Sequence, residues 1–259
     1  MNILPITQPM PSREAADGEA LRLLSPGQFA EVYAATEADA CAAEGLALAA
    51  VSAFAPRLPI LWIRHGFIGQ ETGRPYAGGL REMGIDPARF IIVHARNPLA
   101  ALQAGLEGAR CPGAAAVVIG LWGETKAYDL VASRRLALAA AENSVALMLV
   151  RIVAAPSPSA AAFRWSVASA ASKAFPANAP GHPVFEVKLL RARTGAANAR
   201  YRVEWNRDAR TLTAEPLAGD AAGSRENFRD RPALSGAVVP LSAHRPVPPG
   251  ERLDHPRAG

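Results

Sequence analysis

Four stretches of this chain are apolar almost without interruption: LPILWIRH (58–65), FIIVHA (90–95), AAAVVIGLW (114–122) and VALMLVRIV (145–153). Each has strand length. A strand that is apolar at successive positions sends side chains to both faces, so both faces have to be covered. Helix-forming segments lie between them. Asn97 caps a helix through Leu99, Leu102 and Leu106 that stops near Pro112, and another spans 128–142. A shorter helix is expected at 76–83, inside a glycine-rich segment. Ahead of all these, 28–54 reads as a fifth strand (Phe29, Val32, Tyr33), a turn, and an Ala-rich helix from Glu37 with Thr36 as its N-cap. Strands and helices in strict alternation, joined by short connections, predict an α/β fold with a parallel sheet flanked by helices.

After Pro158 the period changes. FRWSVASA (163–170), FEVKLLRAR (185–193) and RYRVEWN (200–206) alternate apolar and polar residues, as antiparallel strands with one solvated face do. TGAAN joins the last two as a hairpin connection. Strict alternation puts Lys188 and Leu190 on one face, with Val187, Leu189 and Arg191 on the other. The parallel sheet is therefore extended by C-terminal antiparallel strands. Residues 1–24 read as an N-terminal arm, 25–215 as the core, and 216–259, rich in Gly, Pro, Arg and Asp, as a disordered tail.

The chain is 50% hydrophobic over 259 residues, enough for one large core. No apolar run approaches the ~18 residues of a membrane span. The amino end has no basic segment ahead of an apolar one, so no secretory signal is expected and a cytoplasmic, nucleoid-associated location is. Cys41 and Cys111 are isolated thiols, better suited to packing than to a disulfide. Between 121 and 215 thirteen Lys and Arg face seven Asp and Glu, so the net charge of +5 is concentrated there. Such a basic half suits a nucleic-acid or acidic partner, or follows from an Arg-rich composition alone.

Strand, tight turn, helix is where a nucleotide-binding α/β domain carries its phosphate loop. That loop needs glycines for close backbone approach, a Lys for the terminal phosphates and a Ser or Thr for magnesium. Here the turn is Ala34-Ala35-Thr36-Glu37-Ala38-Asp39, with no glycine, no lysine and two carboxylates. No cofactor is expected and no hydrolysis.

Other constellations are thin. Glu37 with Asp39, and Glu124 with Asp129, lack a nucleophilic or basic partner and read as solvated loop carboxylates. His65 and His94 end core strands but have no third metal ligand. Ser133 and Ser144 lack the glycines of a nucleophile elbow. Arg134 and Arg135 sit on the 128–142 helix, whose Leu130, Leu136 and Leu138 are expected to face the sheet. They make either a plain solvated face or a dock for an acidic partner or a phosphate backbone. Trp165 is expected in the core, with the neighbouring Arg164 alternating to the exposed face.

A parallel βαβ core that ends in antiparallel strands, with EVY leading into the phosphate-loop position, resembles the ATPase core of the RecA recombinase family. Within it the chain resembles the ImuA proteins, RecA-like members of bacterial SOS mutagenesis cassettes. The likeness runs over about residues 20 to 210, carried by FAEV (29–32), LWIRH (61–65), GLREMGIDPARFIIVHARN (79–97), ASRRLALAAAE (132–142), and FRW (163–165) followed by FEVKLLRARTG. Three departures from an active RecA-type site accompany the missing phosphate loop. Arg64 and His65 stand where an acidic residue belongs, Gly120 where a magnesium-supporting Asp belongs, and Arg151 where a γ-phosphate-sensing Gln belongs. The resemblance implies a non-catalytic accessory or adaptor role in SOS-induced, error-prone translesion DNA synthesis. The partners it implies are a Y-family-like polymerase relative and an error-prone C-family polymerase. RecA or single-stranded DNA are further candidates, and no membrane is. The residues expected to meet a partner or DNA are Arg134, Arg135, Arg151, Arg164, Lys188, Arg191, Arg193 and Arg202. The rival expectations are a nucleotide-independent single-stranded DNA-binding protein, or a regulator of RecA filaments or of cell division.

Overall fold

The computed structural model describes residues 23–52, 57–193 and 198–217. Strand β1 (Phe29–Ala34) leads through a 3-10 turn at Glu37–Asp39 into helix α1 (Ala40–Ser52). Then come β2 (Ile60–His65), the short helices α2 (Gly66–Glu71) and α3 (Ala77–Glu82), β3 (Phe90–Ala95) and α4 (Pro98–Ala109). β4 (Ala116–Trp122), α5 (Leu130–Asn143) and β5 (Ala146–Ile152) complete the alternating half. β6 (Phe163–Ala170), β7 (Val184–Ala192), β8 (Arg200–Asn206) and β9 (Thr211–Pro216) follow one another.

The described strands form one sheet in the order β3-β2-β4-β5-β1-β6-β7-β8-β9. β3 through β6 in that order are parallel, and β6 to β9 antiparallel. The expected parallel sheet with an antiparallel extension is therefore the observed one.

Two apolar layers hold it. On one face α1 packs on Ala30, Val32, Val118, Met148 and Val150, and the layer continues over the extension to Trp165, Val187, Leu189, Val203 and Trp205. On the other face α4 and α5 cover Phe29, Ile63, Val117, Ile119, Leu147 and Leu149. β4 and β5 are covered on both sides, which is why their sequences are unbroken apolar runs. Leu23 and Leu24, placed in the arm by sequence, are buried in the first layer, where the Leu23 carbonyl accepts from Trp165 Nε1 at 3.2 Å. Strand β9 reaches Pro216, and the rest of the expected arm and tail lies outside the described residues, as does most of the TGAAN turn. Among the described residues no helix is long and apolar enough to cross a membrane.

Four expectations need correcting. β3 is not buried on both faces: it is an edge strand of the described sheet, and Ile91 is 52% exposed and Ile92 38%. On α5 only Leu136 of the three leucines faces the sheet, beside Ser133, Ala139 and Ala140, while Leu130 and Leu138 point outward. Helix α2 and strand β9 were not anticipated, because GFIGQE is glycine-rich and TLTAEP buries only Leu212. Lastly, β7 does not alternate strictly. Arg164 pairs with Arg191 but Trp165 with Leu189, so Leu190 is a β-bulge residue. The extra residue reverses the phase beyond it. Leu189 and Ala192 are buried in the layer with α1, and Lys188 and Arg191 are both exposed.

Gly84 shows how tightly the extension is tied to the α/β half. Its φ is +73°, and a Cβ there would lie 2.3 Å from the Arg207 carbonyl oxygen. The neighbouring Met83 carbonyl accepts from Trp205 Nε1 at 2.6 Å. Both the backbone conformation and the space require glycine. Gly84→Ala is expected to lower stability by about 2 to 4 kcal/mol, read as a fall in the urea midpoint with little change of slope.

Candidate functional site

Ligands of open α/β sheets bind at the carboxyl ends of the parallel strands. In this chain many polar groups at that edge are paired internally on both faces of the sheet, while Tyr33 Oη, His65 Nδ1 and Arg151 Nε are buried without a hydrogen-bond partner among the described residues.

The turn after β1 comes first. Asp39 is buried, contrary to its expected place as a solvated loop carboxylate. One carboxylate oxygen accepts from the Thr36 backbone N–H at 3.1 Å and the Thr36 hydroxyl at 2.7 Å. The other accepts from the Ser169 N–H at 2.8 Å and its hydroxyl at 2.9 Å. The Ala35 N–H donates to the Val167 carbonyl at 2.8 Å. A phosphate loop works by keeping such amides free for an anion at the helix N-terminus. Here an internal carboxylate and strand β6 have taken the amides of Ala35 and Thr36.

Beside it, on the α1 face, Glu44 of α1 and Arg64 at the end of β2 form a buried two-pronged pair, with Arg64 Nε and Nη2 at 3.2 and 3.0 Å from the two carboxylate oxygens. Arg64 Nη1 also donates to the Gly73 carbonyl at 2.8 Å, and its guanidinium lies 5.1 Å from the Trp62 ring centre. The second oxygen of Glu44 also accepts from Thr72 Oγ1, at 3.4 Å. The pair closes the neighbouring position: a Cβ at Gly120 would meet Ile68 Cδ1 at 2.9 Å and Glu44 Oε1 at 3.3 Å. An Asp at 120 has no room while that pair is in place.

The opposite face carries a second buried polar group. Glu31 lies in the middle of β1 and is fully buried. It accepts from Arg164 Nε at 2.6 Å and from the Tyr128 hydroxyl. Arg164 Nη2 goes on to the Ser157 carbonyl (2.6 Å) and Ser159 Oγ (2.9 Å), which pins the loop after β5. Glu124 holds the start of that loop through the Ala155 N–H at 2.6 Å, and Ser133 Oγ accepts from the Ala160 N–H at 3.1 Å. Arg151 lies between Tyr33 and Tyr128, 6.0 and 5.0 Å from their ring centres, and reaches Glu124 at 3.4 Å. Burial, then the Glu31 charge, pushes the Tyr33 hydroxyl up to about 12 and raises Tyr128 for the same two reasons. Both phenols stay neutral at physiological pH.

The residues expected to meet a partner therefore divide. Arg151 and Arg164 are buried, and Arg164 does not alternate to an exposed face because Glu31 holds it against the sheet. Arg134, Arg135, Lys188, Arg191 and Arg193 are exposed. Arg202 is half-buried and donates to the Ala171 carbonyl at 2.5 Å, and beside it Arg200 pairs with Glu186. The register of β1 with β5 and β6 puts Glu31, Leu149 and Arg164 on the face that α5 covers. Through the bulge, Lys188 and Arg191 follow on that same side. Asp129 is the N-cap of α5, accepting from the Ala132 N–H at 2.7 Å. His65 ends half-buried and burial lowers its pKa, while His94 is exposed on the edge strand. Among the described residues no three His, Cys, Asp or Glu side chains are grouped to hold a metal.

Glu31, Glu44 and Tyr128 were not picked out by sequence. A signal was present: a lone Glu inside FAEVYA, or inside an Ala-rich helix, has no way to be buried without a cation. Glu31→Gln keeps the shape and leaves Arg164 charged and unpaired in a low-dielectric site. It is expected to cost about 3 to 5 kcal/mol, measured by chemical denaturation against the wild-type chain.

No protein-family model matches the chain, and no curated protein sequence matches it. Solved structures do. A RadB recombinase crystal structure superposes with a TM-score of 0.50 at 13% identity, over 73% of this chain and 90% of that one. SulA from Pseudomonas aeruginosa gives 0.37 at 18% identity, over 48% of this chain and 97% of that one. At such identity the first likeness speaks to the fold alone: the chain has a RecA-like α/β sheet, flanked by helices and extended by antiparallel strands.

Proposed function

We propose that this chain is a RecA-like accessory protein without ATPase activity, acting as an adaptor in SOS-induced, error-prone translesion DNA synthesis. The observation that carries its non-catalytic half is Asp39, whose carboxylate engages the Thr36 amide and hydroxyl in the turn before α1 and ties that turn to Ser169. The Glu44–Arg64 pair and the crowding at Gly120 support it, since neither a magnesium-holding carboxylate nor a water-activating acid stands in its place. The process and the partners, a Y-family-like polymerase relative and an error-prone C-family polymerase, rest on the resemblance of those sequence segments to the ImuA proteins. Calorimetric titration with ATP and magnesium is expected to give no heat beyond dilution. A micromolar, magnesium-dependent affinity contradicts the proposal.

One observation favours a second reading, direct binding of single-stranded DNA. The bulge at Leu190 brings Lys188 and Arg191 onto one exposed side, near Arg193. Against it, the neighbouring part of that face is balanced: Arg200 pairs with Glu186, and Arg202 stands opposite Glu186 on one side and Glu215 on the other. A phosphate track depends on summed positive charge and weakens steeply with salt. Charges at the rim of a protein interface mainly steer and orient. The triple change Arg191→Ala, Arg193→Ala, Arg202→Ala is expected to weaken binding to the Y-family-like partner while leaving affinity for single strands nearly unchanged. Loss of DNA binding with polymerase binding intact reverses the order of the two readings.

A further inference from the structure

Helix α5 turns Ser133, Leu136, Ala139 and Ala140 to the sheet and leaves the opposite face uncovered. At about 100° per residue, Leu138 and Val131 fall at the centre of that outer face, with Arg134 to one side of them and Arg135 to the other. Leu138 is 61% exposed and Val131 53%, and Leu130 extends the apolar patch beside Arg134. Neither arginine has an ion-pair or hydrogen-bond partner among the described residues. Asp129 is engaged as the N-cap, and the exposed Glu142 lies on the same outer face one turn beyond Leu138, two turns from Arg135. A solvated helix face ordinarily carries its charges at the centre, in pairs of opposite sign three or four residues apart. From Val131 to Leu138 this one has the reverse arrangement, with aliphatic side chains at the centre and unpaired cations on both flanks, and Glu142 ends the stripe.

We infer that this face of α5 docks an acidic amphipathic helical segment of a protein partner. Leu138 and Val131 take its apolar stripe, and Arg134 and Arg135 pair with carboxylates on the two flanks of that stripe. The inference rests on the adaptor reading for the existence of a protein partner and adds that partner's chemistry. Val131 and Leu138 stand at the i and i+7 positions of the pattern by which one helix lies along another, with Arg134 and Arg135 at i+3 and i+4. The uncompensated positive flanks specify acidic ones opposite.

Other occupants fit less well. A second copy of α5 lying antiparallel on the first brings arginines against arginines. A phosphate backbone is held by cations and backbone amides and makes no use of an aliphatic centre. A membrane surface calls for a longer basic helix with bulky apolar or aromatic side chains, and these two turns carry only Leu and Val.

The test uses the full chain and a fluorescent helical peptide of about five turns with a leucine stripe flanked by Glu. A second peptide has the same stripe flanked by Lys. A single-stranded oligonucleotide and phosphatidylglycerol vesicles are the further arms. The wild-type chain is expected to bind the Glu-flanked peptide and not the Lys-flanked one. Leu138→Glu, a change at an exposed position that leaves the melting temperature in place, weakens that binding at least about tenfold. Arg134→Glu with Arg135→Glu inverts the preference toward the Lys-flanked peptide. The inference is overturned if the Glu-flanked peptide does not bind, or if it binds equally to both variants. It is also overturned if these variants abolish oligonucleotide or vesicle binding instead. None of the peptide arms involves nucleotide, so their outcome is separate from that of the ATP titration.

Discussion

A carboxylate buried at the centre of a parallel sheet has to be neutralised where it stands, and the organisation around β1 follows from that. Glu31 has no access to water. Removing an ion of this size from water costs several kcal/mol even after relaxation, and only a well-placed cation with further hydrogen bonds offsets it. Arg164 supplies the cation from β6, and Tyr128 supplies a hydroxyl from the turn ahead of α5. The first strand, the first strand of the extension and the entry to α5 thus meet at one atom group. Arg164 in turn uses its Nη2 on Ser157 and Ser159, so the same charge fixes the loop between β5 and β6. Such a pair contributes little net stability over an apolar replacement. What it imposes is register: β6 cannot slide along β1 without leaving two buried charges unpaired.

The two faces of the sheet solve the same problem separately. An α/β sheet concentrates strand ends, helix N-termini and their unpaired amides at one edge, and in nucleotide-binding relatives of the fold a bound phosphate uses them. Here the edge has become self-sufficient. Asp39 takes the amide of Thr36, Glu44 takes Arg64 beneath the first helix, and Arg151 stacks between two neutral phenols on the far face. The buried Glu44–Arg64 pair also crowds the end of β4, where a Cβ at Gly120 would meet Glu44 Oε1 at 3.3 Å.

Much of the fold could be read from the chain because its strands are buried on both faces, and burial of that kind writes itself as uninterrupted apolar runs. β4, β5 and the cap Asn97 follow from local chemistry alone. The failures have physical causes. FIIVHA has the same composition as a central strand, and only the order of strands, a long-range property, puts it at an edge with Ile91 and Ile92 bare. Alternation in β7 was projected through Leu190, where one extra residue reverses it, and a bulge without a glycine leaves no local mark. On α5, three leucines were assigned to the core when helical geometry admits only Leu136 beside Ser133, Ala139 and Ala140. Asp39 was misread for another reason. Its partner Ser169 is 130 positions away, and a capping carboxylate and a solvated one look alike in sequence.

These corrections converge on where a partner can bind. Two of the arginines expected to meet a partner, Arg151 and Arg164, are instead buried and engaged with Glu124 and Glu31. The exposed members of that set, Arg134, Arg135, Lys188, Arg191 and Arg193, lie on the outer face of α5 and at the end of β7 that the bulge turns outward. Between them lies the loop after β5, fastened by Glu124, Arg164 and Ser133 rather than free to close on a ligand. A surface fixed in this way orders little on binding, so little conformational entropy opposes association.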